Sequence, residues 1–103
     1  MPFSKDLFNP QKPQELDLRS KQIKDEDIPD ILTFLDNNKG IRRLILADNP
    51  ITEKGAQQIA KWLSYNRGGD GYTPTIRYLH LNSCPIGPIG VKAIAEAFEK
   101  RHG

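Results

Sequence analysis

The sequence has little of several features that would point to a particular chemistry. It contains one cysteine, Cys84, and two histidines, His80 and His102, in 103 residues. A single cysteine excludes an intramolecular disulfide framework and a cysteine-rich zinc site, and two histidines add little toward a metal centre. No apolar run approaches the roughly 18 residues that a membrane-spanning helix needs. We therefore predict a fold held together by packing, without a metal, a cofactor or a membrane partner.

An excess of charge of one sign is also lacking. Fifteen Lys and Arg residues against thirteen Asp and Glu give a formal net charge of +2, which is too small to mark a nucleic-acid-binding protein. Residues 1–6 contain neither the apolar segment of a secretion signal nor a lipidation motif. We therefore expect a cytoplasmic location. At 103 residues with 37% hydrophobic composition, the chain suits one small domain.

What the sequence does contain is a threefold internal repeat. Each copy opens with a leucine pair of the form Leu-x-Leu, starting at Leu16, Leu44 and Leu79. The first two copies are 28 residues apart and the last two 35, so about seven extra residues lie between them, within 67–74. Counted from the first leucine, the matching positions are Ile23, Ile51 and Ile86 at seven, Ile28, Ala56 and Val91 at twelve, Ile31, Ile59 and Ile94 at fifteen, Leu32, Ala60 and Ala95 at sixteen, and Leu35, Leu63 and Phe98 at nineteen.

The hydrophobic period changes within each copy from two to 3.6 residues, which predicts a short strand followed by an amphipathic helix. The predicted strands span 15–19, 43–47 and 78–82, and the predicted helices span 26–37, 53–65 and 88–101. The acidic run Asp25-Glu26-Asp27 suits the N-terminus of the first helix, and Thr52 is the predicted N-cap of the second. Each copy is thus predicted to be one β-α unit.

These residues resemble the leucine-rich repeat of the ribonuclease-inhibitor type, whose repeats are about 28 residues long. The second copy reads Ile41-x-x-Leu44-x-Leu46-x-x-Asn49-x-Ile51 and continues to Gly55, Ile59 and Leu63, and the third has Cys84 where the second has Asn49. The first copy departs at Pro13, Lys21 and Asp27, so we interpret it as an atypical terminal repeat. The resemblance implies an α/β solenoid of three repeats, with parallel strands on a concave face and helices on the convex face.

The domain organisation follows from these boundaries. We predict an N-terminal leader or cap over residues 1–12 and a leucine-rich repeat domain over 13–103. Its repeats lie near 13–40, 41–75, with the insertion 67–74, and 76–103. Phe3, Leu7 and Phe8 are the expected cover of the first repeat, whereas no comparable segment follows the third.

The concave face consists of the residues that flank the strand leucines. These are Glu15, Asp17 and Arg19 in the first copy, Arg43, Ile45 and Ala47 in the second, and Tyr78, His80 and Asn82 in the third. We expect Ile45 and Tyr78 to be exposed there, as anchors for a partner. The predicted partner-binding residues are Asp17, Arg19, Arg43, Ile45, Tyr78, His80, Asn82 and, in the insertion, Tyr72. The alternative is an ordinary solvated surface.

Three other features fit a different chemistry less well. His80 and Cys84 suggest a base and a nucleophile, but the resemblance turns Cys84 inward and His80 to the concave face, so we predict a buried, unreactive thiol and no catalytic residue. The glycines of 67–71 follow a helix, whereas a phosphate loop follows a strand. Four arginines near the strands, Arg42, Arg43, Arg67 and Arg77, have acidic neighbours and few aromatic ones, which disfavours nucleic acid.

The sequence therefore predicts a non-enzymatic module that binds another protein through the concave face and the 67–74 loop. A first alternative is a structural fragment or self-associating unit of a larger repeat array, forming a homodimer through the open C-terminal end at strand 78–82. A second is an effector that acts on host proteins, by analogy with the family. The sequence contains no delivery signal that we identify.

Overall fold

The computed structural model describes residues 3–64 and 75–100, which form three β-α units in chain order. The strands are β1 (Glu15–Asp17), β2 (Arg43–Ile45) and β3 (Tyr78–His80), and the helices are α1 (Ile28–Asp36), α2 (Glu53–Ser64) and α3 (Gly87–Lys100). Single 3-10 turns at Lys5–Leu7 and Asp25–Asp27 precede β1 and α1. Within the described ranges, no helix has the length and apolar character needed to cross a membrane.

The three strands form one parallel sheet in the order β1-β2-β3, with Leu16, Leu44 and Leu79 in register. Each strand has three residues instead of the five predicted, because the chain turns soon after it. Ser20, Asp48 and Ser83 occupy the same place in the three repeats and have φ angles of 55°, 59° and 60°. The repeats stay bonded through this turn, where Ser20 N donates to Ala47 O at 3.0 Å and Asp48 N donates to Asn82 O at 2.9 Å.

The core lies between the sheet and the helices. The strand leucines Leu16, Leu18, Leu44 and Leu46 belong to one buried cluster together with residues of α1 and α2 such as Ile31 and Ile59. Leu46 and Ile59 of the middle repeat have exposed fractions of 0% and 1%, as expected for a repeat with a neighbour on each side. The predicted apolar faces of the first two helices are thus confirmed.

Helix α3 departs from the prediction that Val91 lies on a buried face. Val91 is 57% exposed, and Ile94 and Phe98 are only partly buried. The reason is that α3 packs against α2 on one side, and no fourth repeat exists within the described part of the chain to cover the other. Packing on α2 is close, since a Cβ at Gly90 would lie 3.1 Å from the Cβ of Ala56.

The N-terminal aromatic residues cover the first repeat as expected. The rings of Phe3 and Phe8 each lie 5.7 Å, centroid to centroid, from the ring of Phe34 on α1. Leu7 is also partly buried against the core. Trp62 of α2 is buried, and its Nε1 donates to Asp36 Oδ1 at 2.9 Å. Phe34 and Trp62 therefore serve packing and do not form an exposed aromatic patch.

Candidate protein-binding face

One buried amide fixes the turn that follows the strands. Asn49 is 2% exposed, and its side chain bonds backbone groups of two successive repeats. Its Oδ1 accepts from Lys21 N at 3.0 Å and Ile23 N at 2.9 Å, and its Nδ2 donates to Leu18 O at 2.9 Å, Leu46 O at 2.8 Å and Ala47 O at 3.2 Å. Because buried backbone groups must be paired, this amide holds β1 and β2 in a fixed relative position beneath the concave face.

Cys84 occupies the matching position of the third repeat, and its side chain makes fewer hydrogen bonds to the backbone than that of Asn49. Its Sγ donates to Leu46 O at 3.0 Å. The prediction that Cys84 is buried is confirmed only in part, because Cys84 is half-buried in a repeat that is covered on one side in the described structure. Burial nevertheless raises the pKa of the Cys84 thiol, and the negative charge of Asp48 raises that pKa further. The neutral thiol is therefore favoured, which opposes a nucleophilic role.

The sheet register brings most of the predicted partner-binding residues together in rows. Glu15, Arg43 and Tyr78 form one row across the sheet, and Asp17, Ile45 and His80 form the next. Asp17, Arg43 and Tyr78 are exposed, and His80 is half-exposed. Arg19 and Asn82 follow β1 and β3 and are also exposed. Tyr72 and the rest of the 67–74 loop lie outside the described residues.

The predicted exposure of Ile45 is wrong. Ile45 is only 6% exposed and Ala47 only 8%, yet neither belongs to the core cluster beneath the sheet. Both lie on the middle strand or just after it, so neighbours in the flanking repeats cover them, with Asp17 and His80 in register beside Ile45. Ile45 is therefore part of the floor of the concave face. Tyr78, with 56% exposure, is a large hydrophobic side chain that the face does expose, as predicted.

The first row continues into a depression at the N-terminal ends of the strands. The Cζ of Arg43 lies 5.1 Å from the centroid of the Tyr78 ring, within the range of a cation–π interaction. The depression has a volume of about 450 Å³ and is lined by Lys12, Pro13, Gln14, Glu15, Arg42, Arg43 and Tyr78. Lys12 belongs to the predicted leader and Gln14 lies outside the predicted strand. Neither residue belongs to the predicted partner-binding set. Arg42, a basic residue two positions before Leu44, was the sequence signal that could have indicated a site at the N-terminal ends of the strands.

One of the acidic residues before α1, Asp25, serves the second helix instead of the first, whereas Asp27 Oδ2 accepts from Lys24 N at 2.9 Å in the turn that leads into α1. Asp25 Oδ1 accepts from Thr52 N at 2.9 Å and from Gly55 N at 3.1 Å, and Thr52 Oγ1 donates to Asp25 Oδ2. The prediction for Asp25 is therefore corrected, whereas Thr52 does cap α2, since its Oγ1 accepts from Lys54 N at 3.2 Å. In the described ranges, no group of three or more His, Cys, Asp and Glu side chains could hold a metal ion.

Comparison with known proteins supports the fold. A family profile described as Leucine Rich repeat matches residues 37–60 and 73–95, two segments that each contain a strand and the beginning of the following helix. No curated protein matches the chain. Together with the parallel sheet and the three β-α units, the two matches show that the fold is a leucine-rich repeat solenoid.

Proposed function

We propose that this leucine-rich repeat protein binds a partner protein through its concave face. The observation that supports the proposal is the exposed pair Arg43 and Tyr78, held side by side on adjacent strands. Tyrosine and arginine are the side chains most enriched at the energetic centres of protein interfaces. The row beside them, Asp17, Ile45 and His80, offers a carboxylate and an imidazole above an apolar floor. Leucine-rich repeats generally mediate protein–protein interactions.

We propose further that the repeats are of the ribonuclease-inhibitor type and that the 67–74 loop takes part in binding. The spacing of 28 residues between Leu16 and Leu44, with Asn49 and Cys84 at the turn position, supports assignment to the ribonuclease-inhibitor type. The 67–74 loop, which contains Tyr72, would extend the binding surface because insertions between repeats commonly carry binding residues.

Affinity capture with matched variants tests the proposal. The bait Arg43→Glu with Tyr78→Ala reverses one charge and truncates one exposed apolar group on the concave face. The control bait, Lys61→Glu with Gln57→Ala, reverses one charge and truncates one side chain at exposed positions of α2. We expect proteins recovered by the wild type and by the control to be lost with the concave-face bait. Recovery of the same proteins by all three baits would overturn the proposal.

Self-association is the second candidate function, and the C-terminal end of the solenoid favours it. Strand β3 lies at the edge of the sheet in the described structure, and Ile89 and Val91 of α3 are both more than half exposed. An edge strand beside exposed apolar side chains can pair with another copy about a two-fold axis. Ile89 and Val91 lie on α3 and not among the concave-face residues, so variants at these two positions test this candidate separately.

A further inference from the structure

We infer that the depression at the N-terminal ends of the strands binds an acidic, extended segment of the partner protein. This inference rests on the proposed function and specifies the chemistry of the partner. The depression has a volume of about 450 Å³, within the range of roughly 300–1,000 Å³ typical of ligand-binding clefts. It opens beside Tyr78, so a segment seated in it continues directly onto the concave face.

The charge of the depression favours an anionic occupant. Of the described residues that line it, three are cationic, Lys12, Arg42 and Arg43, and one is a carboxylate, Glu15. All three cationic residues are exposed. Among the residues that the structure describes, no carboxylate forms an ion pair with any of the three. Their charge is therefore available to a ligand, and it is concentrated in a concave site where the field of neighbouring like charges adds.

Backbone hydrogen bonds fix the chain segment that carries Arg42 and Arg43 before any ligand binds. Arg42 N and Arg43 N both donate to Gln14 O, at 2.8 and 3.0 Å. On the other side, Arg42 O accepts from Arg77 N at 2.7 Å and from Tyr78 N at 3.0 Å. The segment that carries both arginines is thus bonded to both neighbouring repeats. Preorganisation of this kind lowers the entropy that binding must overcome.

The position of Arg43 over Tyr78 leaves its donors free. In the described structure the guanidinium contacts this ring at 5.1 Å from Cζ to the ring centroid, and no hydrogen bond from the guanidinium to a described residue accompanies the contact. The N–H groups of a guanidinium match the two oxygens of a carboxylate in a bidentate arrangement. The contact with the ring keeps Arg43 beside the depression, and its donors are available to an acidic side chain.

The remainder of the concave face favours a peptide over a nucleic acid. Glu15 lies in the depression itself, and Asp17 lies in the next row toward the C-terminal ends of the strands. A phosphate backbone that followed the sheet would pass both carboxylates. Among the described residues, Tyr78 is the one aromatic residue that lines the depression, whereas strands of nucleic acid bind to successive stacking rings. An acidic peptide needs only the basic depression and the apolar ring beside it.

Fluorescence anisotropy with labelled hexaglutamate tests the inference, with labelled hexaglutamine and an oligothymidylate as comparison probes. Arg42→Gln with Arg43→Gln removes two positive charges from the depression, and Lys54→Gln with Lys92→Gln removes two from exposed positions of α2 and α3. We expect hexaglutamate to bind about tenfold or more weakly to the arginine variant and with unchanged affinity to the lysine variant. Hexaglutamine should not bind.

Three results would overturn the inference. Equal weakening by both variants would show nonspecific attraction to net charge, and tighter binding of the oligothymidylate than of hexaglutamate would indicate a nucleic-acid site. In the third result, the affinity for hexaglutamate is the same in the wild type and in Arg42→Gln with Arg43→Gln, while the bait Arg43→Glu with Tyr78→Ala still loses captured proteins. That result would remove the inference and leave the proposed function standing. Capture unaffected by that concave-face bait would instead remove the proposed function itself.

Discussion

Asn49 and Cys84 fill one structural position in different ways, and the difference follows from their neighbours. Asn49 lies between two repeats and uses both its donors and its acceptor, because backbone N–H and C=O groups of both repeats lie within hydrogen-bond distance of its side chain. Cys84 has one described repeat beside it and makes one bond, to Leu46 O. A small residue with a weak donor is sufficient there.

Replacing Asn49 with alanine should destabilise the protein by about 3 kcal/mol or more, since each buried polar group left unpaired costs roughly 1–3 kcal/mol. The control is Asn37→Ala, because Asn37 is exposed and its Nδ2 donates to Thr33 O within its own helix. That change should cost less than about 1 kcal/mol. Urea unfolding of both variants gives the comparison. Similar losses from the two would contradict the role assigned to Asn49.

The thiol of Cys84 should react slowly at neutral pH, because burial raises its pKa and the thiolate is the reactive form. The same shift makes stability depend on pH. The neutral thiol is favoured in the folded state, so this contribution is complete below the ordinary thiol pKa of about 8.5 and is lost as the pH rises toward the folded value. Thermal unfolding from neutral to alkaline pH should therefore show a decline that Cys84→Ala reduces.

Two outcomes would count against this account of Cys84. Stoichiometric labelling of the native protein within seconds would indicate a free thiolate. A pH profile that is identical for the wild type and Cys84→Ala would show that the thiol does not contribute to the alkaline decline.

For Ile45, the sequence predicted the face of the sheet on which the side chain lies but not its burial. The alternation of β2 correctly assigned Leu44 and Leu46 to the core and Ile45 to the opposite face. Burial of Ile45 depends on the side chains of β1 and β3, which alternation within one strand does not describe. The depression was missed for a related reason, because it joins Lys12 and Gln14 to arginines of the next repeat.

At the scale of elements, Asp25 links the first repeat to the second helix. Its carboxylate accepts from the N-terminal N–H groups of α2, where the helix dipole favours a negative charge. Gly55 is needed for this approach, since a Cβ there would lie 2.5 Å from Asp25 Oδ1 and 2.7 Å from Ile51 Cγ2. The acidic residue and the glycine thus act as a pair.

A double-mutant cycle tests that pairing. Asp25→Ala alone should cost about 1–2 kcal/mol through loss of the cap. Gly55→Ala should also destabilise, because the added methyl group displaces the carboxylate. We expect the cost of Gly55→Ala to be smaller in the Asp25→Ala background, where part of the clash is absent. Strictly additive free energies of unfolding would contradict a direct interaction between the two positions.

Periodicity predicted the order and kind of the elements well, because the change from a period of two to 3.6 occurs in every repeat. It predicted their ends less well. The backbone turns with positive φ angles at Ser20, Asp48 and Ser83, and these turns shorten the strands. The three residues are polar and lie outside the apolar pattern, so periodicity does not predict the turns. The acidic run before α1 was assigned to the nearest helix, because the sequence alone does not show that α2 lies beside it.

At the scale of the whole molecule, the two ends of the solenoid differ. Phe3, Leu7 and Phe8 pack on the first repeat. On α3, Ile89 and Val91 are exposed within the described structure. Burying apolar surface of this kind releases about 25 cal/mol per Å², so the C-terminal end is the place where a second copy would gain most.

Light scattering over a concentration series tests the self-association candidate. Association through α3 should raise the apparent mass toward that of a dimer at high micromolar concentration, and Ile89→Glu with Val91→Glu should return it to the monomer. A mass that stays monomeric throughout removes this candidate and leaves the concave-face proposal in place. A dimer that persists in the double variant would place the contact elsewhere.

Site-specific photo-crosslinking tests the central claim, which is that the concave face contacts the partner protein. A photoreactive amino acid replaces Asp17 or Asn82 on the concave face in one pair of baits, and Gln57 or Lys92 on the helices in a matched pair; all four positions are exposed. We predict that the partner is crosslinked from positions 17 and 82 and not from 57 and 92. Crosslinks from the helix positions alone would contradict the account.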